Sequence, residues 1–268
     1  MAKPRTLVLT GYGINCDRET EAAFELAGAV AERVHVNDLI AGGRRLSEYQ
    51  ILAFPGGFSF GDDVASGKVL AVKAKVNLGE QIRRFISDGK LIIGICNGFQ
   101  VMAKYGLLAD RGGDRETQRV TVTYNNSNRY EDRWVHLIGV SRKCVWTRGI
   151  ERLYVPVAHG EGKFFTVSET LDSIESNDQV AFRYAADNWQ PAGGAYPENP
   201  NGSMNDIAGI CDPEGRLFGM MPHPERYMRF TNHPHWTRIK DQLERKGEPV
   251  PDEGEGMKIF RNGVSYFA

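Results

Sequence analysis

Leu91-Ile92-Ile93-Gly94-Ile95-Cys96-Asn97-Gly98-Phe99-Gln100 passes from an almost unbroken apolar run into residues that suit a helix, with a cysteine at the junction. A short continuous apolar run without alternation is the pattern of a strand buried on both faces. Residues 97–105 then read as a helix that stops at Gly106. Gly94-x-Cys96-x-Gly98 has the spacing of a nucleophile elbow, with sulfur in place of oxygen. That spacing has a steric cause: a sharp turn strains the backbone at the nucleophile, and small residues two before and two after it avoid clashes. A helix N-terminus favours thiolate over thiol, and the Asn97 N–H would point at an oxyanion formed above the sulfur. The competing reading is a buried structural cysteine. Cys16, Cys144 and Cys211 lack a glycine frame and are given that structural reading.

Working outward, residues 6–10, a pair of valines at 34 and 36, and residues 51–54 read as further strands. Residues 17–29 and 77–88 carry apolar side chains at helical spacing and read as helices. Strand alternating with helix, with continuous apolar strands, predicts an α/β fold: a mostly parallel central sheet covered by helices on both faces. Ligands of such sheets sit at the carboxyl ends of the strands, where both Pro55-Gly56-Gly57 and Cys96 fall. From about Thr117 the texture changes. Residues 121–124, 134–140 and 180–184 read as shorter strands, and residues 207–211 and 217–221 as a hairpin around Asp212-Pro213-Glu214-Gly215. A last helix is expected over residues 235–246, and residues 247–256, rich in Gly, Pro and Glu, read as a loop. The whole is taken as one domain, 1–268, with 247–268 a loop-rich C-terminal extension.

A thiolate nucleophile needs a positioned base, usually histidine, often oriented by a carboxylate. His223 lies in Met221-Pro222-His223-Pro224-Glu225, just past the last strand. Prolines on both sides disfavour helix for the residues preceding them, so His223 and Glu225 are expected in an extended segment, pointing to the same side. The plainer reading of Pro-His-Pro is a rigid turn. His159, in Val157-Ala158-His159-Gly160-Glu161-Gly162, is the rival; its segment reads either as a substrate-lining loop or as a turn. His233 and His235 invite a metal, but no helical His-x-x-x-His frame supports one, and no metal is assigned. Pro55-Gly56-Gly57-Phe58 lets the backbone approach a ligand, and the Gly57 and Asn97 N–H groups would together form an oxyanion hole.

Composition narrows the class. The chain has 268 residues, 33 Lys plus Arg against 34 Asp plus Glu, and a net charge of −1, which argues against a global field for nucleic acid. Four scattered cysteines without a C-x-x-C pair suit a reducing compartment. No apolar run approaches the roughly 20 residues of a membrane span, and the N-terminus lacks a signal-peptide core, so a cytoplasmic protein is expected.

As a set, Pro55-Gly56-Gly57, Gly94-Ile95-Cys96-Asn97-Gly98-Phe99-Gln100 and Pro222-His223-Pro224-Glu225 resemble the class I glutamine amidotransferases in order and spacing. Phe58 to Leu70, Asn126 to Val135, Val157 to Gly162 and Asn199 to Gly209 look like the glutaminase subunits of phosphoribosylformylglycinamidine synthase. The resemblance runs from about Thr6 to Arg229, and the tail after about His235 carries no matching motif. It implies a flavodoxin-like class I amidotransferase fold. It implies that Cys96 attacks L-glutamine, that His223 is the general acid/base and that Glu225 orients it. Gly56, Gly57, Phe58, Asn97, Gln100 and His159 are then expected on the substrate. The ammonia would pass to a separate synthetase subunit, with a small bridging subunit left open, for the ATP-dependent conversion of formylglycinamide ribonucleotide to its amidine. No cofactor is expected on this chain; ATP and Mg belong to the partner, consistent with the lack of a G-x-x-x-x-G-K-[ST] pattern here. Two alternatives stay open: a glutaminase serving another synthetase, or a cysteine-dependent small-molecule hydrolase. A non-catalytic binding module is the third.

Overall fold

The computed structural model of the chain describes residues 3–109 and 112–268; Met1, Ala2, Asp110 and Arg111 lie outside them. The first half runs β1 (Arg5–Thr10), α1 (Asp17–Leu26), β2 (Val30–His35), α2 (Val36–Ile40), β3 (Ile51–Phe54), α3 (Lys68–Ser87), β4 (Leu91–Ile95) and α4 (Asn97–Tyr105). The second half contains β5 (Val120–Thr123), β6 (Glu131–Gly139), β7 (Arg152–His159), β8 (Lys163–Thr166), α5 (Ser168–Ser176), β9 (Val180–Ala185), β10 (Ile207–Cys211), β11 (Leu217–Met220), α6 (Trp236–Lys246) and α7 (Met257–Ser265).

Among the described residues, nine strands form one sheet in the order β2-β1-β3-β4-β11-β10-β9-β6-β7, and β5 and β8 pair separately. The first five strands are parallel. From β11 onward each neighbour is antiparallel. Every residue of β3, β4 and β11 is buried, as continuous apolar runs require when helices cover both faces. Right-handed crossovers put those helices on opposite sides: β1 to β2 steps one way along the sheet and β3 to β4 the other, so α1 and α3 cover different faces. α4 packs beside α3.

Three elements depart from the sequence reading. Helix α3 begins at Lys68, not 77, and buries Leu70, Ala71, Ala74, Leu78, Ile82 and Phe85 along one stripe. Its first half alternates Val with Lys, and exposed Val72 and Val76 mask the helical period. Val36 opens α2 instead of extending β2, because the His35 side chain accepts from the Asn37 N–H at 3.1 Å and caps the turn. Residues 247–268 are not all loop. α7 buries Met257, Ile259 and Phe260, and Phe260 meets Phe24 of α1 edge-on at 5.0 Å. No helix of the described residues is long and apolar enough to cross a membrane.

Candidate active site

The strand-to-helix junction is built by steric exclusion. Cys96 precedes α4 with φ 52° and ψ −107°, a conformation that L-residues rarely hold. A Cβ at Gly94 would lie 2.6 Å from the Gly98 carbonyl oxygen, and one at Gly98 would lie 1.8 Å from that of Phe54. Both glycines are therefore required by close backbone approach. Cys96 is 5% exposed, and its Sγ faces the Ala158 carbonyl at 3.7 Å.

The neighbouring strand delivers the base. β11 pairs with β4 so that Met220 lies opposite Ile95, and the Cys96 N–H donates to the Met220 carbonyl at 2.8 Å. Three residues on, the His223 N–H is anchored to the Pro156 carbonyl at 2.8 Å. His223 Nδ1 and Glu225 Oε1 are 2.5 Å apart, both buried. The expected extended segment is corrected here: Pro224–Arg226 is a 3₁₀ turn. Proline keeps His223 out of the helical region, yet its own fixed φ suits the first position of a turn. Burial opposes charge on the imidazole, but Glu225, then the Cys96 and Cys16 sulfurs, outweigh it and hold the His223 pKa well above its ordinary value. His223 Nε2 is buried without a hydrogen-bond partner, which leaves it for the Cys96 sulfur.

The other predicted residues fall into two groups. Gly57 (φ 144°) must be glycine, since a Cβ would meet the Gly13 oxygen at 2.6 Å, and Phe58 is 42% exposed beside the Tyr130 ring. Gly56 instead packs under the imidazole, where a Cβ would come within 2.7 Å of His223 Cε1. The Gln100 carboxamide is engaged within the fold at both of its polar atoms. Its Oε1 accepts from Asn97 Nδ2 at 2.9 Å and its Nε2 donates to the Glu161 carbonyl at 2.5 Å. The Asn97 side chain likewise ties the loop after β3, accepting from Ser59 N–H at 3.2 Å and donating to Asp62 Oδ1 at 3.1 Å. His159 turns inward. Its ring lies between Asn125 Oδ1 at 3.2 Å and Asn201 Nδ2 at 3.5 Å, and burial, helped by the His223 charge, lowers its pKa to about 3. Only the following Gly160 and Glu161 reach open space. His233 stacks among Trp134, Tyr154 and Tyr227, and its Nδ1 accepts from the His235 N–H.

That open space is a cavity of about 400 Å³ bordered by Phe58, Asp62, Tyr124, Arg129, Tyr130 and Glu161. It lies on the side of the nucleophile without being lined by it: Glu161 is three residues past the carbonyl that faces Cys96, and the Cys96 sulfur is the charge that acts most on Tyr130, whose pKa is raised first by burial. Asp62 and Glu161 were visible in sequence only as loop carboxylates. Arg129, Tyr124 and Tyr130 had no site role assigned from sequence, because nothing in a linear motif says that residues 124–130 border the same cavity as Asp62 and Glu161. Cys16 was read as structural, and the structure brings its sulfur beside His223 as well.

A strained cysteine at the carboxyl end of a parallel strand, met by a His–Glu pair from the next strand, defines a glutamine amidotransferase-type site. The chain belongs to that family: the CobB/CobQ-like glutamine amidotransferase domain matches residues 3–267. Its relatives include the phosphoribosylformylglycinamidine synthase subunits PurQ of Methanococcus maripaludis, 48% identical over 98% of this chain and 97% of the relative, and of Dehalococcoides mccartyi, 47% identical over 99% and 98%. Among solved structures, a chain of PurLQS from Thermotoga maritima superposes with a TM-score of 0.72 at 28% identity, over 100% of both chains.

Proposed function

We propose that the chain is the glutaminase subunit of phosphoribosylformylglycinamidine synthase, hydrolysing L-glutamine and passing ammonia to the synthetase subunit. The observation that carries this reading is the meeting of Cys96 and the His223–Glu225 pair at adjacent strand ends. Cys96 Sγ attacks the carboxamide carbon. The developing oxyanion is met by the Gly57 and Asn97 N–H groups, the latter at the positive end of α4. His223 gives its proton to the departing ammonia, then takes one from the water that hydrolyses the thioester to glutamate. Glu225 keeps Nε2 turned to the sulfur and stabilises the imidazolium.

The cavity suits the rest of the substrate. Glutamine carries an ammonium and a carboxylate on one carbon, and the cavity lining offers both signs of charge, Asp62 and Glu161 with Arg129. The names of the relatives support phosphoribosylformylglycinamidine synthase as the assembly, with a synthetase and a third subunit beside this one. ATP and Mg are assigned to the synthetase, which would use the ammonia to form the amidine. Four free cysteines support a reducing, cytoplasmic setting.

In the assembled complex, Cys96→Ala is expected to cut glutamine-dependent synthesis by about 10³-fold or more while ammonia-dependent synthesis persists. Loss of both activities with the complex intact would contradict this division of labour.

A further inference from the structure

Cys16 lies just before α1, about eighty positions from Cys96 in sequence, and is fully buried. Its Sγ donates toward Asn15 Oδ1 at 3.3 Å and accepts from Arg226 Nη2 at 3.1 Å. Thiol, His223 ring nitrogen and Glu225 carboxylate lie within 4.8 Å of one another. Such a trio could chelate a metal, but the guanidinium already puts a fixed positive charge against the sulfur.

Arg226 directly follows Glu225, whose Oε2 is buried with no hydrogen-bond partner. Guanidinium and carboxylate form preferred bidentate pairs, so this is the contact expected between the buried carboxylate and the guanidinium of the neighbouring, solvent-exposed arginine. Among the described residues, however, no ion pair joins them; Glu225 pairs only with His223. The guanidinium is held on the sulfur of Cys16 instead.

We propose that Cys16 is a positioning residue that parks Arg226 away from Glu225, leaving the full carboxylate charge to His223. Released from the sulfur, Arg226 would neutralise Glu225 and weaken the field that keeps the imidazole charged. The groups facing that imidazole are Glu225 and Arg226 on its own segment, Cys96 at the start of α4, Cys16 before α1, His159 at the end of β7, and Tyr130. Of these, only Arg226 can both approach Glu225 and be withheld by a neighbour. The kinetic consequence rests on the glutaminase reading above; the protonation consequence does not.

The test follows the imidazole directly. Labelled-histidine NMR of the full chain, with the His223 signals assigned through His223→Asn, gives its pKa in each variant. Cys16→Ala, and Cys16→Val which keeps bulk without an acceptor, should lower it by about one unit. In the complex with the synthetase, glutamine kcat/KM on the alkaline side should fall about tenfold, the equivalent of that unit, with the acid side unchanged. Cys16→Ser, whose hydroxyl still accepts from Arg226, should keep the native value. Cys16→Ala combined with Arg226→Met should recover most of the loss, because no guanidinium remains to swing across and only the sulfur's own contact with the imidazole is missing. An unchanged His223 pKa in Cys16→Ala and Cys16→Val, or the same fall in single and double variants, overturns the proposal.

Discussion

Glu225 is fully buried, commits one oxygen to His223 Nδ1 at 2.5 Å, and is the strongest of the groups that raise the imidazole pKa. Glu225→Gln keeps the shape and removes the charge. Burial then acts unopposed by a carboxylate, so the His223 pKa should drop and the ring lose its preferred tautomer. We expect kcat for glutamine to fall by about 10²- to 10⁴-fold with KM little changed, measured as ammonia release. A variant losing less than about threefold would remove Glu225 from the mechanism. At this scale the sequence was informative wherever backbone geometry forces residue choice. Gly94 and Gly98 frame Cys96 because any Cβ would strike backbone, and prolines frame His223. Gln100 and His159 were expected on the substrate, Gln100 from the family resemblance and His159 from its glycine-flanked loop; in the structure their side-chain atoms satisfy buried neighbours.

Elements with an unbroken apolar run were legible almost to the residue: β3, β4, α4 and β10 fall where expected. α7 was missed because its apolar residues follow a Gly-, Pro- and Glu-rich stretch and make sense only against a partner. That partner is α1 and the turn at 145–147. Phe260 contacts Phe24, and Gly263 sits where a Cβ would come 2.3 Å from the Trp146 ring. Phe260→Ala should therefore destabilise the chain by about 3–5 kcal/mol, read from urea unfolding. A loss below about 1 kcal/mol would mean that α7 is peripheral to the core.

The whole molecule carries two buried histidines with opposite pH signatures. His159 has its pKa lowered to about 3, chiefly by burial, so the folded state holds it neutral. Between about 6.5 and 3 the unfolded chain binds the extra proton, and the stability from His159 is present above that window and lost on descending through it. His223 runs the other way. Its pKa is raised, so its contribution is full below about 6.5 and lost as pH rises through the folded value. Thermal midpoints should fall toward acid, and His159→Gln should flatten that acid limb even if it lowers the midpoint at neutral pH. An acid limb as steep in the variant as in the parent would assign the acid sensitivity to other groups.

By itself the sequence determined the parallel half of the sheet, the cysteine elbow and the identity of the His–Glu pair. Each follows from local rules: apolar runs bury strands, close backbone approach demands glycine, and proline restricts its neighbours. Only the tertiary structure decided what surrounds them. Residues 124–130 close one side of the cavity, Cys16 and Arg226 meet behind the imidazole, and α7 covers α1. Some of these contacts join positions more than 200 residues apart, as Cys16 and Arg226 are at 210, and all depend on the order in which strands enter the sheet. Side-chain type and spacing along the chain carry no record of that order.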